Sequence, residues 1–168
     1  QRPTPVLEKG RMGDTISLAA AYLESEGRKH KVQLTYEIDA NAPEILFDDM
    51  YVFRIVQNLV SNAIKAVGES RQDGEMGAVC IRYRVAGHNH ILEVQDNGPG
   101  MTPDIAERIL SGNAKSVWNK SAGSGWGTKI VLELAAAQDA RVEIDSSPGN
   151  GATFRVVFTD HAQSSASA

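Results

Sequence analysis

The run from Asp48 to Val67 sets Val52, Ile55, Val56, Leu59, Ala63 and Val67 three and four residues apart, so on a helix all six share one stripe. A long helix with one apolar side must bury that side against another layer. The rest of the chain supplies it. Val32, Leu34, Tyr36 and Ile38 alternate with polar residues. So do Ile81, Tyr83 and Val85, then Leu92 and Val94, Val142 and Ile144, and Phe154, Val156 and Phe158. Each run reads as a half-buried strand. Strands apolar on one face need helices on that side and tolerate water on the other. The expected fold is α/β, a two-layer sandwich with a mixed sheet of about five strands covered on one face by helices. Strict βαβ alternation is absent, which argues against a Rossmann fold.

The remaining segments divide the chain. Residues 1–9, with Pro3 and Pro5, read as a linker. Residues 10–160 read as one domain, and the Ser- and Ala-rich residues 161–168 as a disordered tail. A first helix is expected from about Gly13 to Gly27, with Ile16, Ala19, Ala20 and Leu23 on one face. Asp48 or Asp49 should start the long helix. Gly68 to Gly77 reads as a polar loop, a flexible stretch follows Gly100, and a last helix runs from Gly127 to Gln138. The formal net charge of −4 exerts no strong pull toward nucleic acid or an anionic membrane. The single cysteine, Cys80, forms no internal disulfide and fits a cytoplasmic, reducing setting. No apolar run is long enough to span a bilayer. The chain starts at Gln1 and reads as a piece of a longer protein, whose parent is free to be membrane-anchored.

Three polar motifs interrupt this frame. On the long helix, Asn58, Asn62 and Lys65 stand at i, i+4 and i+7 and share one face, with Arg54 one turn earlier. An Asn carbonyl suits Mg²⁺, which takes oxygen ligands and shares them with phosphates. The same row, taken alone, reads more readily as a solvated polar face, which most amphipathic helices have. Asp96 has the parity of Leu92 and Val94, so it points toward the covered face, where an unpaired carboxylate costs about 1–3 kcal/mol. The exocyclic amine of adenine would pair with it, whereas guanine presents an oxygen there. Gly98 and Gly100 would let the backbone approach a nucleotide, although Asp96-Asn97-Gly98-Pro99-Gly100 is also a good turn. Gly123-Ser124-Gly125-Trp126-Gly127-Thr128 leads into the last helix and exposes its free N–H groups to a polyphosphate. It is not a Walker A loop. Between these, the polar loop from Met101 to Ala122 reads as a lid, and Lys115 or Lys120 could reach a γ-phosphate.

Taken in order, these motifs resemble the catalytic ATP-binding domain of sensor histidine kinases. Asn58 to Lys65 is similar to their N box, Asp96 to Gly100 to the first glycine box and Gly123 to Thr128 to the second. Gly149-Asn150-Gly151-Ala152-Thr153-Phe154 is similar to the last glycine motif. The resemblance covers roughly residues 10–160. It implies the Bergerat fold shared with DNA gyrase, the mismatch-repair protein MutL and a heat-shock chaperone. It further implies that Asn62 ligates Mg²⁺ beside Asn58 and that Lys65 contacts phosphate. Asp96 would take the adenine amine, with Gly98, Gly100 and Met101 along the nucleotide. Gly123, Gly125, Trp126, Gly127 and Thr128 would hold phosphates, and Thr153 would lie near the adenine.

Asn58 stands where gyrase-like ATPases carry a Glu base. An amide takes no proton near neutral pH, so the resemblance favours phosphate transfer over hydrolysis. The sequence departs from the family at Ile109-Leu110-Ser111-Gly112, where paired Phe residues are common, and at Trp126 and Thr128, which replace leucines. None of His30, His88, His90 or His161 is followed by the acidic residue and Pro of a phosphoacceptor site. The acceptor is therefore expected on a separate helical dimerisation domain outside this chain, with a response regulator as the further partner. This piece would be monomeric and its parent a homodimer. A stand-alone serine kinase of the anti-sigma-factor type and a non-catalytic nucleotide-binding scaffold are the two competing readings.

Overall fold

The computed structural model describes residues 4–70, 74–112 and 125–160. The long helix, here α3, spans Asp49–Ser70 and buries Val52, Ile55, Val56, Leu59, Val60, Ala63, Ile64 and Val67 along one side. Each of the Val, Ile and Leu side chains contributes about 1.5–3 kcal/mol by leaving water. Asp48 starts the helix, because its Oδ1 accepts the Tyr51 N–H at 3.0 Å. Gly68 does not stop it. The helix runs on to Ser70, so the expected loop begins later than the sequence indicates, and Glu69 and Ser70 become helical.

Five strands form the main sheet: β2 (Val32–Ile38), β4 (Gly77–Ala86), β5 (Asn89–Asp96), β6 (Arg141–Ser146) and β7 (Ala152–Thr159), in spatial order β2-β4-β5-β7-β6. The β2–β4 pair is parallel, bridged by α3, and the other pairs are antiparallel. Val79, Ile81, Tyr83, Leu92, Val94, Val156 and Phe158 form the covered face and are buried. The opposite face carries a ladder of charge. Arg155 reaches Glu93 at 2.7 Å, Glu143 at 3.2 Å and Asp145 at 3.3 Å, and Arg82 reaches Glu37 at 2.9 Å. The sheet is therefore apolar on one side and largely ion-paired on the other, where Ile91 and Val157 form a buried apolar pair beside the ladder.

The helical layer also holds α1 (Met12–Ala21) and α5 (Gly125–Ala137). The single helix expected from Gly13 to Gly27 is two. It breaks after Ala21, and α2 (Glu24–Lys29) turns onto β2, where Glu24 accepts the Tyr36 hydroxyl at 2.6 Å. Periodicity carried across the break because Leu23 continues the apolar spacing. Two short strands went unread: β1 (Glu8–Gly10), in the expected linker, and β3 (Ile45–Phe47). Three residues show no period, and each exists through pairing with the other, Glu8 opposite Phe47. A further helix, α4 (Pro103–Leu110), occupies the stretch expected to be flexible. Thr102 accepts the Ile105 N–H at 3.3 Å and Pro103 opens the helix, a start signal legible in Thr-Pro-Asp. No helix among the described residues is long and apolar enough to cross a membrane.

Candidate functional site

One cleft of about 360 Å³ opens between α3 and the sheet. Leu59, Asn62, Ala63, Ala66, Glu69 and Ser70 of α3 form one wall. Pro99, Gly100, Met101 and Ile105 form the other, Thr128 closes one end, and Asp96, Ala152 and Phe154 lie on the sheet side. Most of these groups are apolar; of the two carboxylates in the lining Glu69 is exposed, and Asp96 is the buried one. It is 8% exposed. Its Oδ1 accepts the Gly98 N–H at 2.8 Å. Burial pushes its pKa above the usual carboxylate range, against the pull of the Gly98 and Ala152 N–H groups. A charge kept in such a place favours a ligand that brings a hydrogen-bond donor.

The two glycine turns hold the second wall in place. Gly149 N–H donates to Pro99 O at 2.7 Å. Met101 N–H donates to Ser146 Oγ at 2.9 Å, which in turn donates to Gly151 O at 2.7 Å. Gly100 has φ +72°, and a Cβ there would stand 2.1 Å from Ser147 O. Only glycine allows the turns to close this tightly.

At the far end, α5 meets the asparagines of α3. Asn62 Nδ2 donates to the Thr128 hydroxyl at 3.3 Å, and Thr128 is buried. Asn58 Nδ2 donates to Arg54 O at 2.8 Å, which leaves its Oδ1 turned toward the start of α5. A Cβ on Gly127 would lie 3.2 Å from both amide atoms of Asn62 and 3.3 Å from Asn58 Oδ1. The missing side chain thus lets the start of α5 rest on both asparagines. Among the described residues no group of three His, Cys, Asp or Glu side chains is placed to hold a metal.

The structure therefore brings Asn62, Asp96, Gly100, Met101 and Thr128 to the cleft wall. Asn58 and Gly127 sit immediately behind that wall. Lys65 is half-buried on the flank of α3, and Gly98 lies behind Asp96. Thr153 is not brought in. Strand alternation turns it to the charged face, opposite Gln95 and Asp145, while its neighbours Ala152 and Phe154 line the cleft. Gly125 and Trp126 open α5, but Lys115, Gly123 and the Trp126 side chain lie outside the described residues. The sequence reading missed Glu69 and Ser70, because it ended the helix early, Ala66, which lies within the expected helix but off its apolar stripe, and Ile105, because it left α4 as loop.

Residues 47–162 match the family of histidine kinase-, DNA gyrase B- and HSP90-like ATPases. The alginate biosynthesis sensor protein KinB of Pseudomonas aeruginosa is 27% identical over 145 residues, 86% of this chain and 23% of its own length. The cell-division control histidine kinase PdhS of Brucella ovis is 25% identical over 159 residues, 88% of this chain and 15% of its own length. The chain thus spans less than a quarter of these curated relatives. The fold is that of full-length ShkA in complex with AMPPNP, with TM-score 0.78 and 22% identity over 94% of this chain and 32% of that one. It is equally that of the nucleotide-free catalytic domain of histidine kinase ThkA, with TM-score 0.74 and 19% identity over 92% of this chain and 96% of that one. Resting on the match across the cleft-forming residues, the chain belongs to the histidine kinase-, DNA gyrase B- and HSP90-like ATPase family, as a histidine kinase-type ATPase domain.

Proposed function

We propose that this domain binds Mg²⁺-ATP in the cleft and donates the γ-phosphate to a histidine on a helical dimerisation domain outside this chain, which would then phosphorylate a response regulator. The observation that carries the reading is Asp96, a buried carboxylate on an apolar cleft. Adenine would lie between Ala63 and Ala66 on one side and Met101 and Ile105 on the other, with its amine donating to Asp96. Guanine would set an oxygen against that carboxylate and leave it unpaired.

The residues at the far end fit a triphosphate and a hard cation. Asn62 keeps its carbonyl oxygen as an acceptor while its amide donates to Thr128. An oxygen of this kind suits Mg²⁺, which would supply charge neutralisation at the transferring phosphate. The N-terminus of α5 adds free N–H groups and a partial positive charge. Lys65 and Lys115 are the proposed phosphate contacts. Asn58 carries an amide and takes no proton from water, so the arrangement positions a phosphate for transfer rather than activating a hydrolytic nucleophile. The relatives KinB, a sensor protein, and PdhS, a histidine kinase, and the AMPPNP complex of ShkA support the reading.

Calorimetric titration with ATP and GTP, each with Mg²⁺, tests it. The wild type is expected to prefer ATP. Asp96→Asn is expected to lose about 10- to 150-fold in ATP affinity, the worth of a hydrogen bond to a charged group. Equal binding of both nucleotides, or none by the folded chain, would overturn the assignment.

A further inference from the structure

Asp48 stands where three distant segments meet. Its carboxylate is buried. Oδ1 caps α3 through the Tyr51 N–H at 3.0 Å. Oδ2 accepts the Val6 N–H at 2.8 Å and so fastens the chain that leads into β1. The Asp48 backbone N–H donates to Gln138 Oε1 at 2.9 Å, just beyond the end of α5. Because an N–H is accepted only by the oxygen, this bond fixes which end of the Gln138 amide faces Asp48. Gln138 Nε2 is then a buried donor with no partner among the described residues. A buried amide hydrogen without an acceptor is costly.

The helices joined at this point are the two that meet at the cleft. Asn62 lies about 21 Å further along α3, at the helical rise of about 1.5 Å per residue. There it contacts Thr128 of α5, and Gly127 rests on it. We propose that Asp48 is a positioning residue that couples attachment of β1 to the spacing of α3 and α5 at the cleft. Release of the Val6 N–H frees Oδ2 to accept from Gln138 Nε2, exchanging one hydrogen bond for another. Gln138 must turn to make that bond, which moves the end of α5 against α3. The position of the chain entering the domain is thereby transmitted to the Asn62–Thr128 contact. The effect on ATP rests on the proposed function; the transmission between β1 and α5 does not.

The full chain tests both parts. Val6→Pro removes the donor and leaves Asp48 intact, while Val6→Ala keeps the donor. Asp48→Asn keeps an oxygen for the cap but puts a donor where Oδ2 stood, so it frees Val6 and also removes the acceptor that Gln138 Nε2 would take; loss of the ATP effect on β1 in this variant decides the matter if Val6→Pro fails to fold. In hydrogen exchange without nucleotide, the Ile130 and Val131 amides of α5 are expected to exchange roughly three- to ten-fold faster in Val6→Pro, about the worth of one hydrogen bond, and at the wild-type rate in Asp48→Asn. Val6→Ala is expected to match the wild type. The Kd for Mg²⁺-ATP should rise by a like factor in Val6→Pro, and ATP should slow exchange of the β1 amides in the wild type, since coupling is reciprocal. Faster exchange confined to β1 in Val6→Pro, with α5 unchanged, would overturn the coupling. If the wild type takes no ATP, the nucleotide reading fails and the exchange at α5 alone decides the proposal.

Discussion

Gly100→Ala tests whether the two glycine turns are held at the spacing seen. The new Cβ would stand 2.1 Å from Ser147 O and 2.9 Å from Gly151 O. Carbon and oxygen rarely approach below about 3.3 Å, so the turns must part by about 1 Å. Parting them strains the Gly149–Pro99 and Met101–Ser146 hydrogen bonds. The left-handed backbone adds about 1–2 kcal/mol and each lost bond about 0.5–1.5 kcal/mol, together about 2–5 kcal/mol. In a domain of this size 1 kcal/mol moves Tm by about 2–4 °C, so the expected drop is about 4–20 °C. Gly87→Ala is the control. Gly87 has φ +63° in the hairpin between β4 and β5, with nothing within 4 Å of the added Cβ, so it bears the backbone cost alone. Calorimetric melts of the two variants, with and without ATP, separate the contributions. Gly100→Ala should melt lower and lose ATP affinity, while Gly87→Ala should bind like the wild type. Equal melting of the two variants would refute the claim that a closed contact between the turns shapes the cleft wall.

Three further outcomes follow from the same geometry. Arg155→Ala leaves Glu93 with only the 3.7 Å contact to Arg84 on a buried carboxylate, and should cost about 1–3 kcal/mol in urea unfolding; a change under about 0.5 kcal/mol would show the ladder to be ornamental. Burial lowers the pKa of His90, opposed in part by Asp160, so the fold prefers the neutral ring that bonds the Tyr83 hydroxyl at 2.6 Å. That contribution is complete above about pH 6.5 and is lost as pH falls through the lowered folded value. The wild type should therefore lose Tm more steeply than His90→Gln between about pH 7 and 5, and parallel slopes would rule the linkage out. Asn62→Ala should make ATP affinity insensitive to Mg²⁺; persistence of a wild-type Mg²⁺ dependence would remove Asn62 as the ligand.

Much of the layer arrangement was legible in the chain. The stripe on α3 and the alternation on β2, β4, β5, β6 and β7 each repeat over enough residues for period 3.6 or 2 to be read, and each names its buried face. The parity of Asp96 with Leu92 and Val94 places its carboxylate on the covered side for the same local reason. α4 was legible too, in Thr102-Pro103-Asp104, but its signal is a cap rather than a period.

What the chain alone determined is therefore local: which segments coil or extend, which side of each is apolar, and that Asp96 stands on the covered face of its strand. Tertiary structure decided the rest. β1 and β3 exist only as a pair, and the break between α1 and α2 follows from the turn onto β2. Glu69, Ser70 and Ile105 reach the cleft only because α3 runs long and α4 packs against β6 and α5, whereas Thr153 is turned away by the strand register. The junction at Asp48, gathering Val6, Tyr51 and Gln138, has no sequence signature beyond a helix cap. Periodicity reports the neighbours a residue has along its own element, while a site assembled across elements depends on crossing geometry and register, which no short window of sequence contains.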